Sequence, residues 1–227
     1  MVQILKNFIL SSNVNIILEC NTMNQKEMDN ILEKIKDFAD NAHGAQKRKY
    51  TQERYIVHPL RVMQICREYT NELPLLAAAL LHDVLEDTPT TQNEIKDFLI
   101  TLMDVSQANY SLELVIELTD VYIKDNYPKW NRRKRKAEEA MRIEKTSADS
   151  QTVKYADIID NCIEIINHDP DFANVFLREC KAILKKIPNG NKKLYERAVK
   201  TVNDCIDNLN QMTPNERTKT MEINKNI

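Results

Sequence analysis

The stretch PLLAAALLHDVLEDT, residues 74–88, decides the fold. Its first eight residues are apolar on every side, which is typical of a helix buried in the centre of a domain. The run then changes to His82 and Asp83, with Glu86 and Asp87 one turn further on. We predict one continuous helix here, in which i, i+4 spacing places Glu86 on the face of His82. The same spacing places Asp87 on the face of Asp83. Burying His82 and Asp83 without hydrogen-bonding or ionic partners costs roughly several kcal/mol. A metal ion that binds both side chains removes that cost.

Outward from this stretch, apolar residues recur at spacings of three and four, and we predict an all-α bundle of about 8–10 helices. The predicted helices besides the central one cover about 24–43, 59–69, 91–99, 111–123, 129–141, 151–167, 172–187 and 194–212, with a polar loop at 145–150. Residues 24–212 are expected to form one domain. An N-terminal extension of unassigned role, 1–23, precedes it, and a polar tail, 213–227, follows.

The composition excludes several classes of site. The chain has only 2 glycines, whereas P-loops and Rossmann loops need glycine where the backbone approaches phosphate. The formal net charge of −2 gives no sign of nucleic-acid binding. The 5 cysteines form no C-x-x-C pair, and no run of apolar residues is long enough to span a membrane. We therefore expect a cytoplasmic protein that binds neither nucleic acid nor membrane, while the oligomeric state is left open.

Two further polar residues complete a candidate metal site by their spacing. His58 directly precedes a helix-starting proline, and Asp157 lies in the middle of a predicted helix, with Asn161 one turn away. Two imidazoles and two carboxylates suit Mn²⁺, Fe²⁺ or Zn²⁺ without selecting strongly among them. A bound divalent ion lowers the pKa of water near a substrate. The competing interpretation is that no metal binds here. His58 is then a structural residue, Asp157 a solvated helix residue, and the segment HDVLED (82–87) a salt-bridged helix end.

Three segments in this order resemble a known family. They are HGAQKRK (43–49) with YIVHPL (55–60), AALLHDVLEDT (78–88) with TTQNEI (90–95), and VKYADIIDN (153–161). The order H…HD…D is similar to the HD superfamily. More specifically, the segments resemble the hydrolase domain of RelA/SpoT proteins in its stand-alone form, the small alarmone hydrolases. The resemblance covers about residues 28–210 and implies an HD-domain helical bundle.

The resemblance implies an activity and a role for each matching residue. The activity is hydrolysis of the 3′-pyrophosphate of the nucleotide (p)ppGpp to GDP or GTP plus pyrophosphate, with one divalent ion, Mn²⁺. The implied metal ligands are His58, His82, Asp83 and Asp157, and the pair that orients and deprotonates the attacking water is Glu86 and Asp87. The implied substrate contacts are Arg48 and Lys49 at the guanine, Asn161 near the ribose, and the motif lysine Lys154.

A basic segment, residues 129–136, has six cations in eight residues. One interpretation is a solvated helix face paired with Glu138 and Glu139. The other is a positive rim that attracts an anionic nucleotide, with Lys129 and Arg132 as substrate contacts.

Two functions remain open at the level of sequence. The first is hydrolysis of the guanosine alarmone or of another nucleotide. The second is a non-catalytic module that binds a nucleotide or acts as an antitoxin-like partner. The Glu86–Asp87 pair favours the first, because a protein that only binds has no need to activate water. The loop YTQERY (50–55) lacks the small residues common in the family, and this leaves the choice of base open.

Overall fold

The computed structural model describes residues 24–212, and that part of the chain is helical, with one isolated bridge between Lys47 and Arg54 and no other β-structure. It contains nine helices of nine or more residues and one single-turn helix, which confirms the predicted all-α class. The helices are α1 (Gln25–His43), α2 (Val57–Arg67), α3 (Leu73–Leu81), α4 (Val84–Asp87), α5 (Gln92–Ile100), α6 (Val105–Leu118), α7 (Arg132–Ile143), α8 (Ala148–His168), α9 (Pro170–Leu184) and α10 (Lys192–Gln211). The predicted extension and tail lie outside the described residues.

Two helix starts lie where the sequence predicted them, and side-chain caps set both. The Asn24 side chain accepts a hydrogen bond from the backbone N–H of Glu27 at 2.9 Å and caps α1, which ends at Gly44 with φ of 56°. Only glycine adopts that backbone conformation at little cost. Thr91 and Glu94 form a reciprocal capping box at the start of α5. Local hydrogen-bonding chemistry therefore predicted these boundaries correctly.

Two other boundaries were wrong, because a cap was overlooked in each. The predicted helix 111–123 begins and ends earlier, at Val105–Leu118; the Asp104 side chain accepts from the backbone N–H of Gln107 at 3.0 Å and starts it. The predicted polar loop 145–150 is partly helical, since the Ser147 side chain caps α8. Polar residues in a first helical turn look like a loop unless the cap before them is recognised.

The central helix is also not continuous, contrary to the prediction. His82 and Asp83 occupy a turn between α3 and α4. The Nδ1 of His82 donates to the carbonyl oxygen of Ala79 at 2.8 Å. In an unbroken helix that oxygen would accept from the backbone N–H of Asp83, and the histidine ring therefore replaces a backbone hydrogen bond.

The core is built around α3, in which every residue is buried. This helix packs against α1, α2, α6 and α8, and α8 in turn packs against α2, α9 and α10. Its three consecutive alanines let these neighbours approach closely. The arrangement brings the polar end of α3 to the middle of α8. None of the described helices is long and apolar enough to cross a bilayer.

Candidate metal centre and adjoining cavities

The four predicted metal ligands converge from three parts of the chain. His58 comes from α2, His82 and Asp83 from the turn after α3, and Asp157 from α8. The Nε2 of His58 lies 3.2 Å from Oδ1 of Asp157 and 3.6 Å from Oδ2 of Asp83. The Nε2 of His82 lies 3.1 Å from Oδ2 of Asp83 and 3.9 Å from Oδ1 of Asp157. Both histidines and Asp83 offer ligand atoms that lie within 4.8 Å of one another.

The ring of His82 is oriented as a metal ligand requires. Its Nδ1 donates to the carbonyl oxygen of Ala79, and Nε2 is therefore the atom that carries the lone pair once the ring is neutral. That Nε2 atom is buried and has no hydrogen-bond partner among the described residues. Buried polar atoms are rarely left unpaired. A cation at this point satisfies Nε2, and the side chain therefore fits a metal-binding role.

The ring of His58 is held in the same way by a residue that the sequence reasoning missed. Its Nδ1 donates to Oδ2 of Asp160 at 2.6 Å, and the Nε of Arg61 donates to the other oxygen of Asp160 at 2.6 Å. Carboxylates in this position orient metal-binding histidines. The sequence shows only that Arg61 follows His58 by three residues and Asp160 follows Asp157 by three, whereas their contact depends on the packing of α2 against α8.

The two carboxylates are also held in place. The hydroxyl of Tyr55, another residue not anticipated, donates to Oδ2 of Asp83 at 2.7 Å. The Nζ of Lys154 lies 2.8 Å from Oδ2 of Asp157, and the Nδ2 of Asn161 donates to its Oδ1 at 2.5 Å. Because each carboxylate is fixed by neighbours, little conformational entropy is lost when it binds an ion.

The electrostatics of the centre favour a cation. Burial lowers the pKa of His82, but the charges of Asp83 and Asp157 and the hydrogen bonds to Asp83 and Ala79 together outweigh burial and raise that pKa to about 9. Burial raises the pKa of Asp157, whereas the Lys154 ammonium and both histidines hold it well below its usual range. Two ionised carboxylates therefore face two ring nitrogens. This mixed nitrogen and oxygen set fits a divalent first-row ion.

A cavity of about 180 Å³ opens directly beside this centre, and we call it the metal-side cavity. Glu86 lines it and accepts a hydrogen bond from the backbone N–H of Asp120 at 3.1 Å. Burial and the negative charge of Asp120 raise the pKa of Glu86 to about 7. Cations also line this cavity, namely Arg132, Lys136 and Lys154. The cavity thus offers a carboxylate that titrates near neutral pH beside positive charge suited to an anion.

A second cavity of about 240 Å³ shares Tyr55, Asn161 and Phe176 with the first. We call it the aromatic cavity, because Tyr50 and Phe172 also line it. Aromatic side chains of this kind can stack on a planar ring, and the shared residues connect this cavity to the metal-side cavity.

The predicted substrate contacts Arg48 and Lys49 both line the aromatic cavity, but they differ in burial and in their partners. Arg48 is buried, bonds Glu164 and Asn161, and lies 5.4 Å from the ring centre of Tyr55. Lys49 is exposed, and its Nζ lies 4.5 Å from the ring centre of the neighbouring tyrosine.

Of the remaining predicted residues, some lie away from the cavities. Arg132 lines the metal-side cavity but is paired with Glu179 at 2.7 Å and 2.9 Å. Lys129 is exposed and does not line either cavity. Asp87 lies on the outer side of α4, where its Oδ2 accepts from the side chain of Gln46 at 3.2 Å. The structure therefore places Glu86 in the metal-side cavity and Asp87 outside it.

Comparison with known proteins agrees with this geometry. A family model described as the HD domain matches residues 55–162, the segment that contains all four predicted ligands. A guanosine-3′,5′-bis(diphosphate) 3′-pyrophosphohydrolase of Aquifex aeolicus is 48% identical over 66 residues, which cover 29% of this chain and 9% of that protein. A protein of the same name from Spiroplasma citri is 31% identical over 172 residues, or 74% of this chain and 21% of that protein. The chain thus matches about a fifth or less of the length of these relatives.

Solved structures share the fold. A metazoan orthologue of SpoT, described as hydrolysing ppGpp, superposes with a TM-score of 0.63 at 21% identity, covering 84% of this chain and 99% of that one. The Listeria monocytogenes protein lmo0812 superposes with a TM-score of 0.52 at 20% identity, covering 68% of this chain and 99% of its own. The HD-domain model thus matches a little under half of the chain, in the segment where two histidines and two aspartates converge, and these solved structures show the same fold.

Proposed function

We propose that this protein is a metal-dependent phosphohydrolase that removes the 3′-pyrophosphate of guanosine 3′,5′-bis(diphosphate). The observation that carries the proposal is the unpartnered, buried Nε2 of His82, which faces the carboxylate of Asp83 beside a cavity of mixed charge. The similarity to proteins named as 3′-pyrophosphohydrolases supports this substrate. Free cysteines in the described residues suit a reducing compartment, and we propose a cytoplasmic location.

We propose Mn²⁺ as the ion, with His58, His82, Asp83 and Asp157 as its ligands. When bound, such an ion supplies Lewis-acid polarisation of a phosphoryl group and a nucleophile at neutral pH. The residues behind the ligands keep that geometry. Asp160 fixes the ring of His58, and Lys154 neutralises the outer oxygen of Asp157.

We assign Glu86 the role of general base. Its carboxylate lines the metal-side cavity, and its pKa of about 7 means that it is partly ionised at neutral pH and returns its proton easily. A base matched to the working pH contributes roughly 10²–10⁴-fold to rate. We assign Asp87 a positioning role, because its hydrogen bond to Gln46 ties α4 to the loop that carries Arg48 and Lys49.

The two connected cavities accommodate the two ends of the nucleotide. We place the base in the aromatic cavity, where the planar guanidinium of Arg48 already lies against Tyr55. Lys49 lies at the open side, and Asn161 lines both cavities, at the position expected for the ribose. The pyrophosphate then faces Arg132, Lys136 and Lys154, which neutralise its charge in place of a glycine-rich loop. We keep Lys129 as an outer contact that attracts the anion before it enters.

The test is release of pyrophosphate from ppGpp by the purified protein with MnCl₂. We expect turnover by the unmodified protein and loss of at least 10³-fold in His82→Ala and Asp83→Asn. Asp97→Asn, which removes an exposed carboxylate on α5, is the matched control and keeps full activity. Binding of ppGpp without pyrophosphate release would instead assign the chain to the non-catalytic nucleotide-binding alternative. Release from another nucleotide but not from ppGpp would retain the enzyme and reject the guanosine substrate.

A further inference from the structure

A long groove runs between α7 and α9, with a volume of about 900 Å³, larger than either cavity described above. We call it the α7–α9 groove. It borders the metal-side cavity, because Arg132, Lys136, Glu179 and Ile183 line both. The other lining residues are Arg133, Ala137, Ala140, Met141, Val175, Arg178, Ala182 and Lys186.

The floor of the groove is apolar and exposed. Met141 on α7 is 44% exposed, and Val175 on α9 is 48% exposed. Small side chains, Ala137 and Ala182, lie on the same two helices and leave room above the floor. Single exposed apolar residues are ordinary on protein surfaces, whereas a contiguous apolar patch with a polar rim is typical of an interaction site.

The rim of the groove is positively charged. Five cations and a single carboxylate line it. Three of the cations are paired, namely Arg132 with Glu179, Lys136 with Asp120 and Lys186 with Glu144. Arg133 and Arg178 are exposed and have no carboxylate partner within residues 24–212. Two free guanidinium groups therefore stand beside an open apolar floor.

The positive charge of the rim favours some binding partners of the groove over others. A second copy of the chain would bring the same basic rim against itself, which like-charge repulsion disfavours. Residues 1–23 contain one lysine and one glutamate, and residues 213–227 contain three cations and two carboxylates. Neither end of the chain supplies an acidic complement. The occupant that matches both the floor and the rim is apolar on one face and acidic on the other.

We propose that the α7–α9 groove is a docking site for an acidic amphipathic helix of a partner protein. Helices bind grooves of this kind through apolar residues at i, i+3, i+4 and i+7. The 12 residues of α7 span about 18 Å, which matches three to four turns of a bound helix. In the complex, carboxylates of the partner pair with Arg133 and Arg178, and its apolar face covers Met141 and Val175. The proposal does not depend on the hydrolase activity, because its readout is binding.

The test uses a fluorescein-labelled 18-residue peptide, with leucines at helical i, i+3, i+4 and i+7 spacing and glutamate or alanine elsewhere. Fluorescence anisotropy with the full chain is expected to give a micromolar Kd. Val175→Glu and the double change Arg133→Glu, Arg178→Glu each weaken binding at least tenfold. Val105→Glu is the matched control, because Val105 is 56% exposed on α6 and does not line the groove. Circular dichroism confirms that each variant is folded.

Four results would overturn the proposal. The first is no binding up to 200 µM peptide, and the second is equal binding of the counterpart in which lysine replaces glutamate. The third is a dimer in sedimentation analysis that Val175→Glu dissolves, which would assign the groove to a second copy. The fourth is a tenfold or greater gain in peptide affinity on removal of residues 1–23, which would assign it to that segment.

Discussion

At the residue scale, Asp160 orients the ring of His58, although it does not contact Nε2, the atom that we propose binds the metal. Asp160 accepts from Nδ1 of that ring, and Arg61 holds Asp160 from the other side. Loss of such an outer partner typically costs 10–100-fold in metal affinity. We therefore expect Asp160→Asn to weaken Mn²⁺ binding by about that factor in isothermal titration calorimetry, while Asp97→Asn binds normally. Equal affinity in the two variants would mean that Asp160 does not position the ring.

Glu86 links activity and stability at the same residue. Its pKa is raised to about 7 in the folded protein, chiefly by burial and then by Asp120, from a usual value of 4.5. The folded state therefore binds more protons than the unfolded state between these values, and stability falls as pH rises from 4.5 to 7. A glutamine in place of Glu86 carries no charge, and the variant therefore does not lose stability as the pH rises.

We accordingly expect Glu86→Gln, without metal, to melt about 1–3 °C above the unmodified protein at pH 8, because solvent screens part of the penalty. At pH 5 the two proteins melt together. With Mn²⁺, pyrophosphate release by the variant falls roughly 10²–10⁴-fold. A variant that is less stable at pH 8 would show that the carboxylate is favourably bound rather than strained, and would contradict its role as a base.

The sequence predicted residues that act through local motifs and missed those that act across the fold. His82 and Asp83 are adjacent in an apolar helix, and their chemistry is visible there. Asp160 reaches His58 over 102 positions, and Tyr55 reaches Asp83 over 28. Such pairings depend on how helices pack, and a single sequence does not show them.

At the scale of elements, α7 and α9 are joined at the mouth of the metal-side cavity by the Arg132–Glu179 pair. An anionic substrate must compete with Glu179 for that guanidinium. We expect Glu179→Gln to lower KM for ppGpp about three- to tenfold, or ~0.6–1.4 kcal/mol, with kcat unchanged within twofold. Glu138→Gln, which removes a carboxylate of α7 that lines neither cavity, leaves both constants unchanged. A higher KM in Glu179→Gln would show that Glu179 itself holds the substrate.

Element boundaries were predicted where a cap precedes an apolar stripe and missed where polar residues fill the first turn. Thr91 and Glu94 form a box that the sequence displays directly. The first turn of α6 mixes Val105 with Ser106 and Gln107, and its cap Asp104 was not distinguished from an ordinary loop aspartate. The break after α3 was missed for another reason: propensity and periodicity favour a continuous helix, and a side-chain hydrogen bond to Ala79 overrides them.

At the scale of the whole molecule, we expect metal binding and folding to be coupled, because the proposed ligands come from α2, α8 and the turn after α3. At free Mn²⁺ 100 times its Kd, binding to the folded state alone adds ~2.7 kcal/mol. For a chain of this size, that corresponds to a rise in Tm of about 5–10 °C in differential scanning calorimetry. His82→Ala loses this metal-dependent rise, although its melting temperature without metal also changes. A rise retained in that variant would mean that Mn²⁺ binds elsewhere.

The fold class followed from composition and periodicity, whereas the cavities did not. Scarce glycine and helical stripes predict a helical bundle, and the structure has one. The aromatic cavity and the α7–α9 groove arise from spaces between helices distant in the chain. Their residues carry no shared motif, and packing alone brings them together.

The burial of α3 determines which parts of this protein tolerate amino-acid substitution. Every residue of that helix lies in the core, and a substitution that shifts the ligands at its end therefore also disturbs the packing of four neighbouring helices. The exposed parts of α7, α9 and the loop at 44–56 carry no such penalty. We therefore expect substitutions to be tolerated in those exposed parts far more readily than in α3.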